Sequence, residues 1–317
     1  LTPGLHVMND KKFPPEAEPS ELVIISGKGG TGKTSITASL AMLAEKAVLA
    51  DCDVDAADLH LVLTPEIEKT HVFTAGREAV IRQEDCDSCG TCLQYCRFGG
   101  IARERGGNGK ARFYVDEAHC EGCGVCVHFC PAQAIDFPER VCGEWYVSRT
   151  RKGPMVHACL GIGAENSGKL VSTVRREAAQ IARGKKIPLI IVDGPPGIGC
   201  PVIASVTGAS LVLVVTEPTL SGEHDLDRVL KLTRHFGIPT AICVNKWDLN
   251  PEMTERIETK ARGVAAAVAG RVRYDSAVTF AQIQEKAVVE IETASADDIR
   301  NLWSRLQLIA GSHGIAI

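Results

Sequence analysis

"SGKGGTGKT", residues 26–34, follows the apolar run "ELVIIS" and opens a helix-like stretch over 33–46. Strand, glycine-rich turn and helix in that order predict a phosphate-binding loop of the form G-x-x-x-x-G-K-T, carried by Gly27, Gly32, Lys33 and Thr34. Glycines let backbone N–H groups turn inward around phosphate oxygens, and the following helix aims its positive end at the anion. Lys33 is expected on the terminal phosphates and Thr34 on Mg²⁺, with Gly29, Gly30, Thr31 and Ser35 completing the nucleotide-binding stretch. Lys28 is a cation that this pattern does not require.

Four further apolar runs of strand length end in motifs. "AVLAD" enters "DCDVD" from 51, "IPLIIVD" enters "DGPPG" from 193, "LVLVVTEP" runs to Pro218, and "TAICVN" enters "NKWD" from 245. Helix-like segments at 166–183, 221–236 and 295–311 lie between or after them. The alternation predicts an α/β fold, a mostly parallel sheet with helices on both faces. Ligands of such sheets bind beyond the carboxyl ends of the strands, where all five motifs fall. Asp193 closes its strand as a Mg²⁺-holding carboxylate would. Asp51 and Asp53 sit two apart, so both point the same way in extended chain. One is expected to orient an attacking water and the other, provisionally Asp53, to serve the metal with Thr34 and Asp193. Asn245 offers a carboxamide to a purine edge, while Asp248 in "NKWD" leaves guanine open beside adenine.

The rest of the composition narrows the class. A net charge of −4 over 317 residues, with no dominant basic stripe, speaks against nucleic acid as partner. The apolar runs are far short of the ~20 residues of a membrane helix. In the tail, Leu302, Leu306 and Ile309 fit a face packed on the domain rather than on a membrane. Residues 1–20 are polar and proline-rich and read as a loose arm, not a secretory leader. A cytoplasmic protein is expected.

Of 13 cysteines, eight fall between residues 86 and 130, in "CDSCGTCLQYC" (86–96) and "CEGCGVCVHFC" (120–130). C-x₂-C-x₂-C-x₃-C, twice, is the spacing of bacterial two-cluster ferredoxins, in which the fourth cysteine of each run crosses to the other cluster. One [4Fe–4S] cluster is therefore expected on Cys86, Cys89, Cys92 and Cys130, the other on Cys96, Cys120, Cys123 and Cys126. Zinc sites show separated pairs rather than three thiols in seven residues. Pro131 follows Cys130 as the pattern asks, whereas Arg97 follows Cys96, so the first run is an imperfect copy. The expected organisation is an α/β domain over 21–82 and 141–317, with a small inserted α+β ferredoxin module over 83–140.

"GKGGTGKT", "DCDVD", "DGPPG" and "NKWD" together resemble the deviant Walker A ATPases of the MinD, ParA and Mrp group, which includes the nitrogenase iron protein. The resemblance implies that Lys28 reaches across a homodimer, formed on ATP binding, to the phosphates of the other subunit. Family members mostly use the asparagine of the last motif for adenine, which implies ATP, Mg²⁺ and slow, dimer- or partner-dependent hydrolysis. With an inserted ferredoxin module, and with "EPTLSGEHDL" and "ENSGKLV", the chain resembles a subgroup of nucleotide-binding iron–sulfur proteins. Three roles follow: gating of low-potential electron transfer to a redox partner, assembly or carriage of a cluster or metal cofactor for a client, or redox-responsive regulation. Cys200, seven residues after Asp193, matches the offset of a cluster cysteine in the nitrogenase iron protein. It reads either as a small residue packed behind its loop or, with Cys159, as part of a cluster bridging the dimer.

Overall fold

The computed structural model describes residues 18–106, 110–161 and 167–317, so the expected arm lies outside the described residues up to residue 17. The chain begins β1 (Ser20–Ser26), α1 (Lys33–Leu43), β2 (Val48–Asp51), α2 (Leu59–Leu63) and β3 (Glu66–Arg77). The cysteine-rich part follows, with β4 (Val80–Ile81), α3 (Thr91–Tyr95), β5 (Ile101–Arg105), β6 (Ala111–Val115), α4 (Val125–His128) and β7 (Ile135–Asp136). Then come β8 (Glu139–Thr150), β9 (Gly153–Leu160), α5 (Ser167–Lys185), β10 (Leu189–Pro196), α6 (Cys200–Val206) and β11 (Leu211–Thr216). The chain closes with α7 (Leu220–His235), β12 (Thr240–Asn245), α8 (Pro251–Gly263), β13 (Ala267–Val272), α9 (Ala277–Ile283) and α10 (Ala294–Ser312).

Nine strands form one sheet in the order β13-β12-β11-β1-β10-β2-β9-β8-β3. From β13 to β9 every neighbouring pair is parallel; β8 and β3 turn antiparallel at one edge. The apolar runs are unbroken because the central strands are buried on both sides. Val23 and Ile25 face one core with Val174 of α5, Leu226 of α7 and Ile257 of α8, while Leu22 and Ile24 face the other with Ile36 of α1 and Ile299 of α10. Each such fully buried side chain contributes about 1.5–3 kcal/mol of transfer free energy. Leu302 and Leu306 are buried, and Ile309 packs against the same core, so the tail docks on the domain as expected. Among the described residues no helix is long and apolar enough to cross a membrane.

The edge pair β3–β8 is a long ribbon that the sequence did not announce. Its far end pairs Arg77 with Glu139 and carries the cysteine-rich residues between them. There β4 pairs with β7 and β5 with β6, around a small core of Ala79, Cys92, Ile101, Phe113 and Ile135. The packed unit thus takes in Ala79, ahead of the boundary at 83. Its two halves are built alike. Gly90 and Gly124, each at the start of a short helix, have φ of 76° and 72°. A Cβ on Gly90 would come within 3.2 Å of the Phe113 ring, and one on Gly124 within 3.2 Å of the Phe137 ring. Tyr95 and Phe129, each just before the last cysteine of its run, stack at 4.4 Å.

Gly122 ties this unit to the ribbon. Its φ is +61°, and a Cβ there would stand 2.2 Å from the Arg77 carbonyl oxygen. Gly122→Ala therefore combines a left-handed penalty of about 1–2 kcal/mol with a backbone collision. Limited proteolysis of this variant is expected to cut within 78–138 at least several times faster than in the parent, while the α/β body stays resistant.

Candidate nucleotide site

The loop 26–34 crosses the carboxyl edge of the sheet between β1 and α1. Two of its glycines are demanded by geometry. Gly32 has φ +85°, and a Cβ on it would lie 2.3 Å from Asn245 Nδ2; a Cβ on Gly27 would lie 2.4 Å from Asp225 Cβ. Behind the loop Asn245 donates from Nδ2 to the Thr31 carbonyl (2.7 Å) and accepts the Lys246 N–H at Oδ1 (3.0 Å). The residue expected on a purine edge is thus engaged in holding the loop.

Lys33 is 6% exposed and lies between two carboxylates, 3.0 Å from Asp193 Oδ1 and 3.3 Å from Asp53 Oδ2. Burial disfavours its charge, but Asp193, Asp53 and Asp51 outweigh that and raise its pKa. Asp193 also accepts from Thr34 Oγ1 (2.9 Å) and Thr37 Oγ1 (2.8 Å). Thr37, one helical turn after Lys33, was not foreseen; it gives the fully buried carboxylate a second donor on Oδ1, the oxygen that also faces Lys33, while Thr34 serves Oδ2. Thr34, Asp193 and Asp53 bring hard oxygen donors together beside the loop, a donor set that fits Mg²⁺.

The structure separates the two aspartates of "DCDVD". Asp53 lines the cavity, and burial raises its pKa against the pull of Lys33. Asp51 is fully buried, accepts the backbone N–H groups of Asp53 and Leu59 at 3.2 Å each, and ties down the loop that presents Asp53. Burial and the neighbouring Asp193 charge push its pKa well up.

A cavity of about 500 Å³ opens in front of Gly29–Ser35 and runs toward Arg273, Tyr274, Asp275 and Gln282, within the usual size of small-molecule sites. Its far wall is fixed in advance. Tyr274 N–H donates to Asp248 Oδ1 (2.7 Å), Arg273 forks onto Asp298 (2.7 and 2.8 Å), and Ser295 Oγ donates to Asp275 (2.8 Å). These wall residues carried no signal in the sequence. Lys28 leans away from the cavity onto the start of α7, its Nζ 2.5 Å from Glu217 Oε1 just before that helix and 2.8 Å from Ser221 Oγ in its first turn.

Of the cysteines, Cys86, Cys89, Cys92 and Cys130 line one small cavity of the cysteine-rich unit. Cys120 and Cys123 are close enough to Cys126 for their charges to help raise its pKa, after burial, to about 11. Cys96 packs against the small core. Among the described residues no three His, Cys, Asp or Glu side chains already form a metal-binding group. Cys159 in β9 and Cys200 at the start of α6 are both exposed, and no hydrogen bond joins them. That exposure corrects the packed alternative for Cys200. Cys52, Cys142 and Cys243 are buried.

Removing one partner of a buried ion pair strands the other. Asp193→Ala is expected to cost the nucleotide-free protein about 3 kcal/mol, at the low end of that class because Asp53 stays beside Lys33. Urea unfolding at neutral pH measures it.

Residues 22–288 match the model of the CobQ/CobB/MinD/ParA nucleotide binding domain. The uncharacterized protein MJ0578 of Methanocaldococcus jannaschii is 36% identical over 73% of this chain and 79% of its own length. The fold is similar to the cell division ATPase MinD of Pyrococcus furiosus (TM-score 0.54, 17% identity, 92% of this chain and 99% of that one). It is equally similar to the septum site-determining protein MinD of Pyrococcus horikoshii, solved with Mg-ADP (TM-score 0.54, 16% identity, 93% and 98%). A buried lysine held between carboxylates under a glycine loop, on a parallel sheet matched over most of its length, places this chain in the CobQ/CobB/MinD/ParA nucleotide-binding family.

Proposed function

We propose that the chain hydrolyses ATP as a nucleotide-dependent homodimer and carries two [4Fe–4S] clusters whose redox state is linked to that hydrolysis. The observation that carries the hydrolytic part is the Lys33 ammonium between Asp53 and Asp193 at the floor of the cavity. Triphosphate oxygens would draw Lys33 off the carboxylates, leaving Asp193 and Thr34 to hold Mg²⁺, which when bound would neutralise charge on the transferring group. Because Asp51 is fully buried, Asp53, which faces the cavity, takes the water-orienting role by accepting a hydrogen bond from the attacking water, and the metal duty expected of it rests with Asp193 and Thr34. Lys28 of the second subunit supplies positive charge to the phosphoryl oxygens as a P–O bond to water forms and the bond to the leaving diphosphate breaks. The engagement of Asp248 with Tyr274 N–H supports adenine over guanine, because one oxygen of the guanine-reading carboxylate is already occupied.

For the clusters, the support is the spacing of the two cysteine runs, their matched glycine turns, and the single cavity lined by Cys86, Cys89, Cys92 and Cys130. That four-thiol set is the one expected from crossing of the fourth cysteine. Cys96, Cys120, Cys123 and Cys126 would hold the second cluster. Thiolate-bound iron–sulfur clusters would supply one-electron chemistry at this end of the ribbon. The electron partner or client is a second protein, and Cys159 and Cys200, both exposed, remain candidates for a further shared site.

Phosphate release from ATP and from GTP, each with Mg²⁺, tests the first part. ATP is expected to be the better substrate by at least about tenfold. Lys33→Ala and Lys28→Ala are each expected to lower turnover by about 10²–10³, the usual effect of removing one preorganised charge-stabilising donor. A Lys28→Ala protein that still turns over at the parent rate would exclude the dimeric mechanism.

Iron and acid-labile sulfide analysis after anaerobic purification tests the second part. Two cubane clusters require about eight irons per chain, and Cys89→Ser and Cys123→Ser are each expected to remove about half. An EPR-monitored redox titration with and without Mg-ATP reads the linkage. A nucleotide-dependent change in potential or line shape that disappears in Lys28→Ala is the expected result.

A further inference from the structure

The turn after β11 and the first turns of α7, "EPTLSGEHDL" (217–226), stand against the nucleotide loop, yet the hydrolytic mechanism gives them no task. Their side chains surround Lys28. Besides Glu217 and Ser221, Thr219 Oγ1 lies 3.4 Å from the same ammonium. Glu217 also pairs with Lys246 (3.3 Å), whose Nζ donates to the Gly30 carbonyl at 3.2 Å. One carboxylate thus serves two ammonium groups on either side of the loop. Glu217 is fixed from behind: a Cβ on Gly222 would stand 2.3 Å from its carbonyl oxygen, and Thr219 caps α7 by accepting the Gly222 N–H at 3.0 Å.

We propose that Glu217 is a positioning residue that keeps Lys28 on its own subunit until nucleotide in a second copy of this chain competes for it, and so sets the protein concentration at which hydrolysis becomes appreciable. The proposal rests on the assignment of Lys28 as a cation delivered across the dimer. Two features favour such a latch. Lys28 and Glu217 are 31% and 15% exposed, so their pairing is screened and worth a factor of about 1.5 to 5. It can bias Lys28 without trapping it against a triphosphate. When Lys28 leaves, Lys246 remains on Glu217, so no carboxylate is stranded without a counter-charge. The latch can therefore open with little penalty beyond the pair itself.

The test is specific ATPase activity against protein concentration at saturating Mg-ATP, with dimer formation followed by sedimentation in the same samples. Two latches open per dimer, so Glu217→Gln is expected to lower the half-maximal concentration by roughly 2- to 25-fold, the square of one exposed pair. Glu217→Asp, which keeps the charge, is expected to return the threshold toward the parent's. Ser221→Ala, which removes only a neutral acceptor, is expected to shift it in the same direction by less. A threshold unchanged or raised in Glu217→Gln overturns the proposal. Should that variant fold poorly by circular dichroism, an unshifted Ser221→Ala overturns it instead. Lys28→Ala separates the two levels. If it keeps the parent's rate and threshold, the trans role of Lys28 is wrong and the latch falls with it. If Lys28→Ala is inactive while Glu217→Gln is unshifted, only the latch is wrong.

Discussion

The ion cluster of Lys33 with Asp193 and Asp53 is the constraint around which the nucleotide edge is built. A lysine buried this deeply is tolerable only with a counter-charge at contact distance, and a buried carboxylate only with its oxygens satisfied. Each requirement recruits another element. Asp193 lies within β10, which runs on past it to Pro196 instead of closing there as expected from sequence, Lys33 begins α1, Thr37 turns back from the next helical turn, and Asp53 is held out by a loop that Asp51 anchors. The parallel register of β1 with β10 and of β10 with β2 brings these ends side by side. The site thus sets one ammonium among three carboxyl groups, and phosphate oxygens that engage Lys33 must compete for it with Asp193 and Asp53.

Much of this was legible in the sequence because the chemistry is local. The glycine loop, its helix and the carboxylates at strand ends are read from spacing, and the buried strands from unbroken apolar runs. The cysteine runs are legible for the same reason, since their ligand types repeat at fixed short intervals. What stayed hidden depends on contacts between distant residues. Glu217 meets Lys28 from 189 positions further along the chain, and the wall at Arg273–Asp275 is held by α10 and Asp248, neither of which marks it in sequence. The ribbon β3–β8 was missed because its strands are half-exposed and mix charged with apolar residues, unlike the central strands.

Asn245 and Asp51 show how much of a motif residue's surroundings its sequence position leaves open. Asn245, expected on a base, lines the cavity and also holds the Thr31 carbonyl; Asp51, expected to share catalytic duty with Asp53, is fully buried and accepts two backbone N–H groups. In both cases the side chain satisfies a backbone group that burial would otherwise leave unpaired, which costs about 1–3 kcal/mol. Position in a motif identifies the neighbourhood of a residue, and only the partners of its polar atoms identify the task.

The two-stranded ribbon also bears on how the body carries the cysteine-rich unit. Entry and exit of the cysteine-rich unit face each other as Arg77 and Glu139, at the free edge of the sheet. A segment grafted between two points already in contact leaves the host's loop-closure entropy almost untouched, and that entropy grows only slowly with the length inserted. The unit has its own small core and does not interrupt either main core of the body. Deleting it and rejoining the ribbon by a short hairpin would leave the sheet and both main cores intact.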